Sequence, residues 1–162
     1  MKYLLILLLF PIQSFAQCKL IKDKDPYTRE ARVSTGFVSL QGASVSLDAN
    51  KREIDMLFNI EGENKCFDNN SSAMVYFEGS KVKMSMRNSG TMNCEGLFHF
   101  NFKNSTSVNY QLKKLTTQKL SRIEFVGPNQ KVITVFLTGE MQDKLLEASG
   151  CLLEEANNLL LQ

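Results

Sequence analysis

Tryptophan is absent from this chain of 162 residues, histidine occurs once and proline three times. Each shortage removes a class of chemistry. A hydrolase triad takes its base from a histidine beside an activated nucleophile, and the sole candidate, His99, stands between Phe98 and Phe100 with no G-x-S-x-G turn anywhere in the chain. A Walker loop is also missing; Glu78-Gly79-Ser80 reads as a hairpin turn. No apolar run reaches the roughly 20 residues that carry a helix across a bilayer. Charge of one sign is lacking too. Nineteen Lys and Arg face 17 Asp and Glu, with no long run of like charge, which speaks against nucleic acid or an anionic membrane as the main partner. Carboxylate pairs are assembled in space and leave no spacing to read, so a carboxylate-dependent hydrolase stays open as one alternative.

What is present begins at the N-terminus. Lys2 precedes an apolar run over 3–10, Pro11 ends it, and Ser14-Phe15-Ala16 puts small residues at the −3 and −1 positions of a signal-peptidase site. This predicts a signal peptide over 1–16, cleaved after Ala16, and a single domain over 17–162 that works in the periplasm or is secreted. A lipid anchor on Cys18 is the rival reading, and the large polar Gln17 before the cysteine fits it poorly. Four cysteines, Cys18, Cys66, Cys94 and Cys151, form an even set suited to two disulfides in an oxidising compartment. Zinc would want closely spaced ligand pairs, and these are far apart with one histidine to help them. Asp23 and Asp25 resemble the start of a calcium loop, but the glycine and closing glutamate are missing. Nothing calls for a metal or a cofactor.

Alternation with period two dominates the middle of the chain. Ile54, Met56, Phe58 and Ile60 alternate with Asp55, Asn59 and Glu61, and Phe98, Phe100 and Phe102 alternate with His99, Asn101 and Lys103. Each pattern is a half-buried strand. Together with candidates at 33–40, 43–49, 73–78, 81–87, 121–126 and 131–137, this predicts a mainly β (α+β) fold: an antiparallel meander or sandwich of about seven to eight strands. The segment 131–137 is apolar on both faces and is expected to be central. The Ser/Asn-rich stretches at 68–72, 88–93 and 104–109 read as loops, two of them with glycosylation sequons.

Two local arguments go further. If Gly79-Ser80 is a two-residue turn, the pairs become Phe77 with Val82, Tyr76 with Lys83 and Val75 with Met84, which places Val75, Phe77, Val82 and Met84 in the core. At the C-terminus, Met141, Leu145, Ala148, Leu152, Ala156 and Leu159 recur at helical spacing, predicting a helix over 139–161 packed on the sheet. Gly150 either weakens this helix or caps a first one. A meander running through 54–61, 73–78, 81–87 and 97–103 brings the loops of Cys66 and Cys94 to one end, leaving Cys18 for Cys151.

The chain resembles a diffuse set of small exported bacterial β-rich proteins of unassigned function. The likeness rests on an early cysteine followed by Asp25-Pro26-Tyr27-Thr28, on Phe77-Glu78-Gly79-Ser80, on Asn93-Cys94-Glu95-Gly96, and on Leu115-Thr116-Thr117 leading to Leu120-Ser121-Arg122-Ile123. It implies export and a shared β-rich fold, with no activity and no site. The functional expectation is therefore a binding or interaction domain, with an inhibitor or immunity-type protein that captures one protein partner as the alternative. In the same meander the outward residues Lys81, Lys83 and Arg87 adjoin His99 and Lys103 on the next strand, a cationic patch for a protein, or for an anionic glycan or peptide.

Overall fold

The computed structural model describes residues 18–128 and 130–161. The expected signal segment 1–16 lies outside them. Among the described residues the elements run β1 (Ile21–Lys24), β2 (Ala31–Leu40), β3 (Ala43–Ala49), β4 (Glu53–Ile60), β5 (Ser72–Phe77), β6 (Lys83–Arg87), β7 (Leu97–Lys103), α1 (Tyr110–Thr117), β8 (Leu120–Val126), β9 (Val132–Phe136) and α2 (Gly139–Leu159). Every strand pairing is antiparallel. They form a five-stranded sheet in the order β1-β2-β3-β4-β7 and a four-stranded sheet in the order β6-β5-β8-β9. The expected mainly β fold with a C-terminal helix is thus observed, in its two-sheet form.

The alternating residues explain why two sheets close on each other. Ile54, Met56, Phe58 and Ile60 of β4 and Phe98, Phe100 and Phe102 of β7 are buried side by side. Across the core, Phe125 of β8 packs edge-on against Phe58 and Phe98, with ring centroids 5.3 and 5.0 Å apart. Burying each such ring contributes about 1.5–3 kcal/mol. The rest of the five-stranded sheet's inner face is covered by α2, which packs on β2 and β3. Lys22 on the inner side of β1 reaches Glu155 of α2 at 2.6 Å.

α2 runs through Gly150 without a break. Its buried stripe is Gln142, Leu145, Ser149, Leu152, Ala156 and Leu159, so two polar residues replace the expected Met141 and Ala148. Ser149 Oγ donates to the Leu146 carbonyl at 3.1 Å and Gln142 Nε2 to the Leu137 carbonyl at 3.1 Å, while Gln142 Oε1 is buried without a partner among the described residues. No helix among the described residues is long and apolar enough to cross a membrane.

Two local readings are corrected and two elements are new. The β5–β6 register holds at Tyr76 with Lys83 and Val75 with Met84 but ends there: Phe77 has no pair with Val82 on the β6 side and keeps only its pair with Leu120 on the β8 side. The turn is longer than two residues, with Gly79 at φ +67°, and Val82 lies in it, 61% exposed. The apolar strand β9 is an edge strand and not a central one. A short helix, α1, follows the loop at 104–109; Asn109 caps it by accepting from Gln111 N and Leu112 N. Strand β1 adds a short edge that alternation did not show.

The cysteines join as Cys18–Cys151 and Cys66–Cys94, the connectivity expected. The reason differs in part. β4 and β7 are themselves hydrogen-bonded neighbours, so the loop leaving β4 and the loop entering β7 share an end. A Phe67–Asn93 bridge holds the two loops together beside the bond. Because Sγ of Cys18 is bonded to Cys151, it is not free to carry an acyl thioether. Two disulfides are consistent with an oxidising, exported location.

Candidate binding cleft

The antiparallel register of β2, β3, β4 and β7 determines which side chains face outward together. One outward row runs Ser34, Asp48, Asp55, Asn101 and the next runs Phe37, Ser46, Leu57, His99. Over the first row lies a cleft of about 810 Å³, lined by Arg32, Asp48, Glu53, Asp55, His99 and Asn101 from the strands, by Asp25, Thr28 and Glu30 from the β1–β2 connection, and by Ser89, Gly90 and Thr91.

The segment 88–91 forms the far wall because it leaves the four-stranded sheet after β6 and runs along the free edge of β7. Asn88, buried, organises it. Its Oδ1 accepts from the His99 amide at 2.8 Å and the Gly90 amide at 3.1 Å, while its Nδ2 donates to the Asp68 carbonyl at 2.9 Å. The Ser89 amide donates to the His99 carbonyl at 3.0 Å. Gly90 lies so near the imidazole that a Cβ there would sit 2.9 Å from His99 Cδ2.

His99 Nδ1 is 2.9 Å from Asp55 Oδ2, and both side chains are more than two-thirds buried. Asp55 Oδ1 is shut off from solvent and has no hydrogen-bond partner among the described residues. Burial, above all, raises the Asp55 carboxyl from its ordinary 3.8; the hydrogen bond and charge of His99 oppose the rise, and Asp48 and Glu53 add to it. The other carboxylates are partly matched: Arg32 to Asp48 at 3.1 Å, Arg52 to Glu30 at 2.8 Å, and Asn101 Nδ2 to Glu53 at 3.1 Å. Asp25 accepts from the amides of Tyr27 and Thr28, which lowers its pKa. Five carboxylates against Arg32 and His99 leave the lining acidic and rich in acceptors. Among the described residues, no group of three or more His, Cys, Asp or Glu side chains is arranged to hold a metal ion.

The residues expected to share a cationic patch are dispersed. Lys83 and Arg87 face outward from β6, and Lys81 sits in the preceding turn. His99 and Lys103 face outward from β7, which belongs to the other sheet. The two sheets share one core, so their outer faces point away from each other. His99 instead joins an acidic cleft. Asp48, Glu53, Asp55 and the wall at 88–91 went unforeseen as a site, since only the pairing of β4 with β7, 44 positions apart at Asp55 and His99, brings them together. The one signal in the sequence was the outward phase of Asp55 and His99 on their strands.

Comparison of the chain with family models, curated proteins and solved structures finds no match. Fold and site therefore rest on this chain's own residues.

Proposed function

We propose that the protein is an exported, disulfide-stabilised binding domain of the periplasm or the extracellular space, and that the cleft on its five-stranded sheet takes the ligand. The observation that carries this reading is the gathering of five carboxylates, Asp25, Glu30, Asp48, Glu53 and Asp55, in the lining of one cleft with Arg32 as its one guanidinium. Asp55 Oδ1 itself is closed to solvent, so a ligand's donors are met by the other carboxylates of the lining, Asp25, Glu30, Asp48 and Glu53. The acceptor-rich lining favours a donor-rich ligand, one that carries an ammonium among hydroxyl groups. An apolar ligand would leave these groups desolvated and unpaired.

The test is a titration of the isotopically labelled, oxidised protein with a glucosamine oligomer, followed by amide NMR, with the N-acetylated oligomer as control. Saturable shifts at Gly90, His99 and Asn101 are expected with the free amine, and a weaker response with the acetylated form. Equal responses, or shifts that persist unchanged in Asp55→Asn, would overturn the assignment of the cleft.

A further inference from the structure

The outer face of the four-stranded sheet has a different character. Register places Lys83, Tyr76, Arg122 and Phe136 in one row across β6, β5, β8 and β9. The Arg122 guanidinium lies 3.7 Å over the Tyr76 ring. Glu124, in the neighbouring row, spends both oxygens holding this stack: Oε1 accepts from Arg122 Nε at 3.1 Å and Oε2 from Tyr76 Oη at 2.8 Å. The guanidinium plane is thereby fixed, and its terminal nitrogens are left without a carboxylate among the described residues. Lys83 and Arg87 likewise form no ion pair among those residues, and Phe136 is 56% exposed beside Arg122. α2 packs elsewhere, on β2, β3 and α1, and α1 meets this sheet at β6, where Gln111 Nε2 donates to the Ser85 carbonyl at 3.2 Å.

We propose that this face docks an acidic oligosaccharide laid across the strands. Three strand spacings of about 4.8 Å separate Lys83 from Phe136, roughly 14 Å in all, which is the span of a short sugar chain. A pre-oriented guanidinium with free terminal nitrogens suits the two oxygens of one uronate carboxylate. Phe136 offers the C–H face of that sugar an apolar wall, and Lys83 meets the next carboxylate along the row. Charge complementarity selects a polyanion. The row then selects among polyanions: the Tyr76 ring is already covered by Arg122, so one open ring remains, too few for the successive base stacking that holds single-stranded nucleic acid. This surface is independent of the cleft, which lies on the other sheet.

The experiment measures binding of an oligogalacturonate to the oxidised protein at low and high salt. A neutral galactose oligomer, a polyglutamate peptide and a single-stranded oligonucleotide of equal charge serve as comparisons. The oligogalacturonate should bind at least tenfold more tightly than the other three and weaken as salt rises. Lys83→Ser and Phe136→Ala should each cost fivefold or more in affinity with an unchanged melting temperature, and Arg122→Lys, which keeps the charge but loses the fork, about tenfold. Asp55→Asn in the cleft should leave this affinity unchanged. Equal binding of polyglutamate or the oligonucleotide would overturn the assignment to a sugar. Absence of binding at low salt, or binding indifferent to the Lys83 and Phe136 substitutions, would overturn the site.

Discussion

His99 reaches Asp55 on the diagonal: the β4–β7 register sets His99 opposite Leu57 and Asp55 opposite Asn101, yet Nδ1 and Oδ2 lie 2.9 Å apart. Diagonal neighbours on one face of a sheet are within reach of long side chains, and here the contact is made over the floor of the cleft.

The Asp55 carboxyl, raised by burial, gives a pH dependence of definite sign. The folded protein keeps this proton to a higher pH than the unfolded chain, so stability from Asp55 is complete below about 3.8 and is lost as pH rises through the raised folded value. Asp55→Asn removes that loss and keeps an oxygen to accept from His99. In urea melts the variant should match the wild type near pH 3 and exceed it near pH 7. A variant weaker than wild type near pH 7 would show that the His99 hydrogen bond outweighs the burial of the carboxylate.

Gly90→Ala should damage the cleft more than the fold. The added Cβ meets the edge of a side-chain ring, His99 Cδ2 at 2.9 Å, not backbone. The imidazole must swing away, and Asp55 loses its one side-chain donor. We expect altered His99 ring resonances and weakened ligand response, with a stability loss under about 1 kcal/mol. Unchanged ring resonances would place His99 farther from Gly90 than the structure does.

The two disulfides should differ in worth. Cys18–Cys151 spans 133 positions and Cys66–Cys94 spans 28, so loop-closure entropy assigns them up to about 5 and about 3.5 kcal/mol. The longer one also secures β1, whose four residues are all exposed and whose remaining ties are its pairing with β2 and the Lys22–Glu155 ion pair. Replacing Cys18 and Cys151 with serine should lower stability in guanidinium melts by more than replacing Cys66 and Cys94. It should also leave the amides of 21–24 unprotected against hydrogen exchange while β3 and β4 stay protected.

How much of this was legible follows the range over which the information acts. Strands β4 and β7 and helix α2 were readable because alternation and a helical stripe are local consequences of burial on one face. The partition into two sheets was not. A meander and a sandwich share the same alternation, and only the loop at 88–91, which carries the chain from β6 to the edge of β7, separates them. β9 misled because Val132, Ile133, Val135 and Phe136 are apolar on both faces, yet the outer face is left open at Val132 and Phe136. The cleft needed register across four strands and the position of a loop wall, neither of which a single strand records.

The turn between β5 and β6 offers a direct check of its corrected geometry. Val82 is 61% exposed, whereas Met84, two residues on, is 8% exposed with its side chain in the core. Val82→Lys should therefore change stability by no more than about 0.5 kcal/mol. Met84→Lys buries an unpaired charge in the core and should cost several kcal/mol or prevent folding. Comparable losses from the two substitutions in denaturant melts would restore the shorter turn, with Val82 opposite Phe77.

Gly150 lies inside α2, where glycine costs about 1 kcal/mol relative to alanine because it surrenders more backbone freedom on folding. Close packing does not require it. A Cβ at this position would find its nearest neighbour, the Thr116 carbonyl oxygen of α1, at 3.9 Å, an ordinary van der Waals contact. The adjoining Ser149 is fully buried and the Cys18–Cys151 bond follows directly, so α2 is held on both sides of the glycine. Gly150→Ala should therefore stabilise the protein by about 0.5–1 kcal/mol, a rise of roughly 1–4 °C in Tm for a chain of this size, with the binding surfaces unaffected. If Gly150 instead ended one helix in a left-handed conformation, alanine would be strained there and the melting temperature would fall. A fall would contradict the continuous helix, and a rise would confirm it.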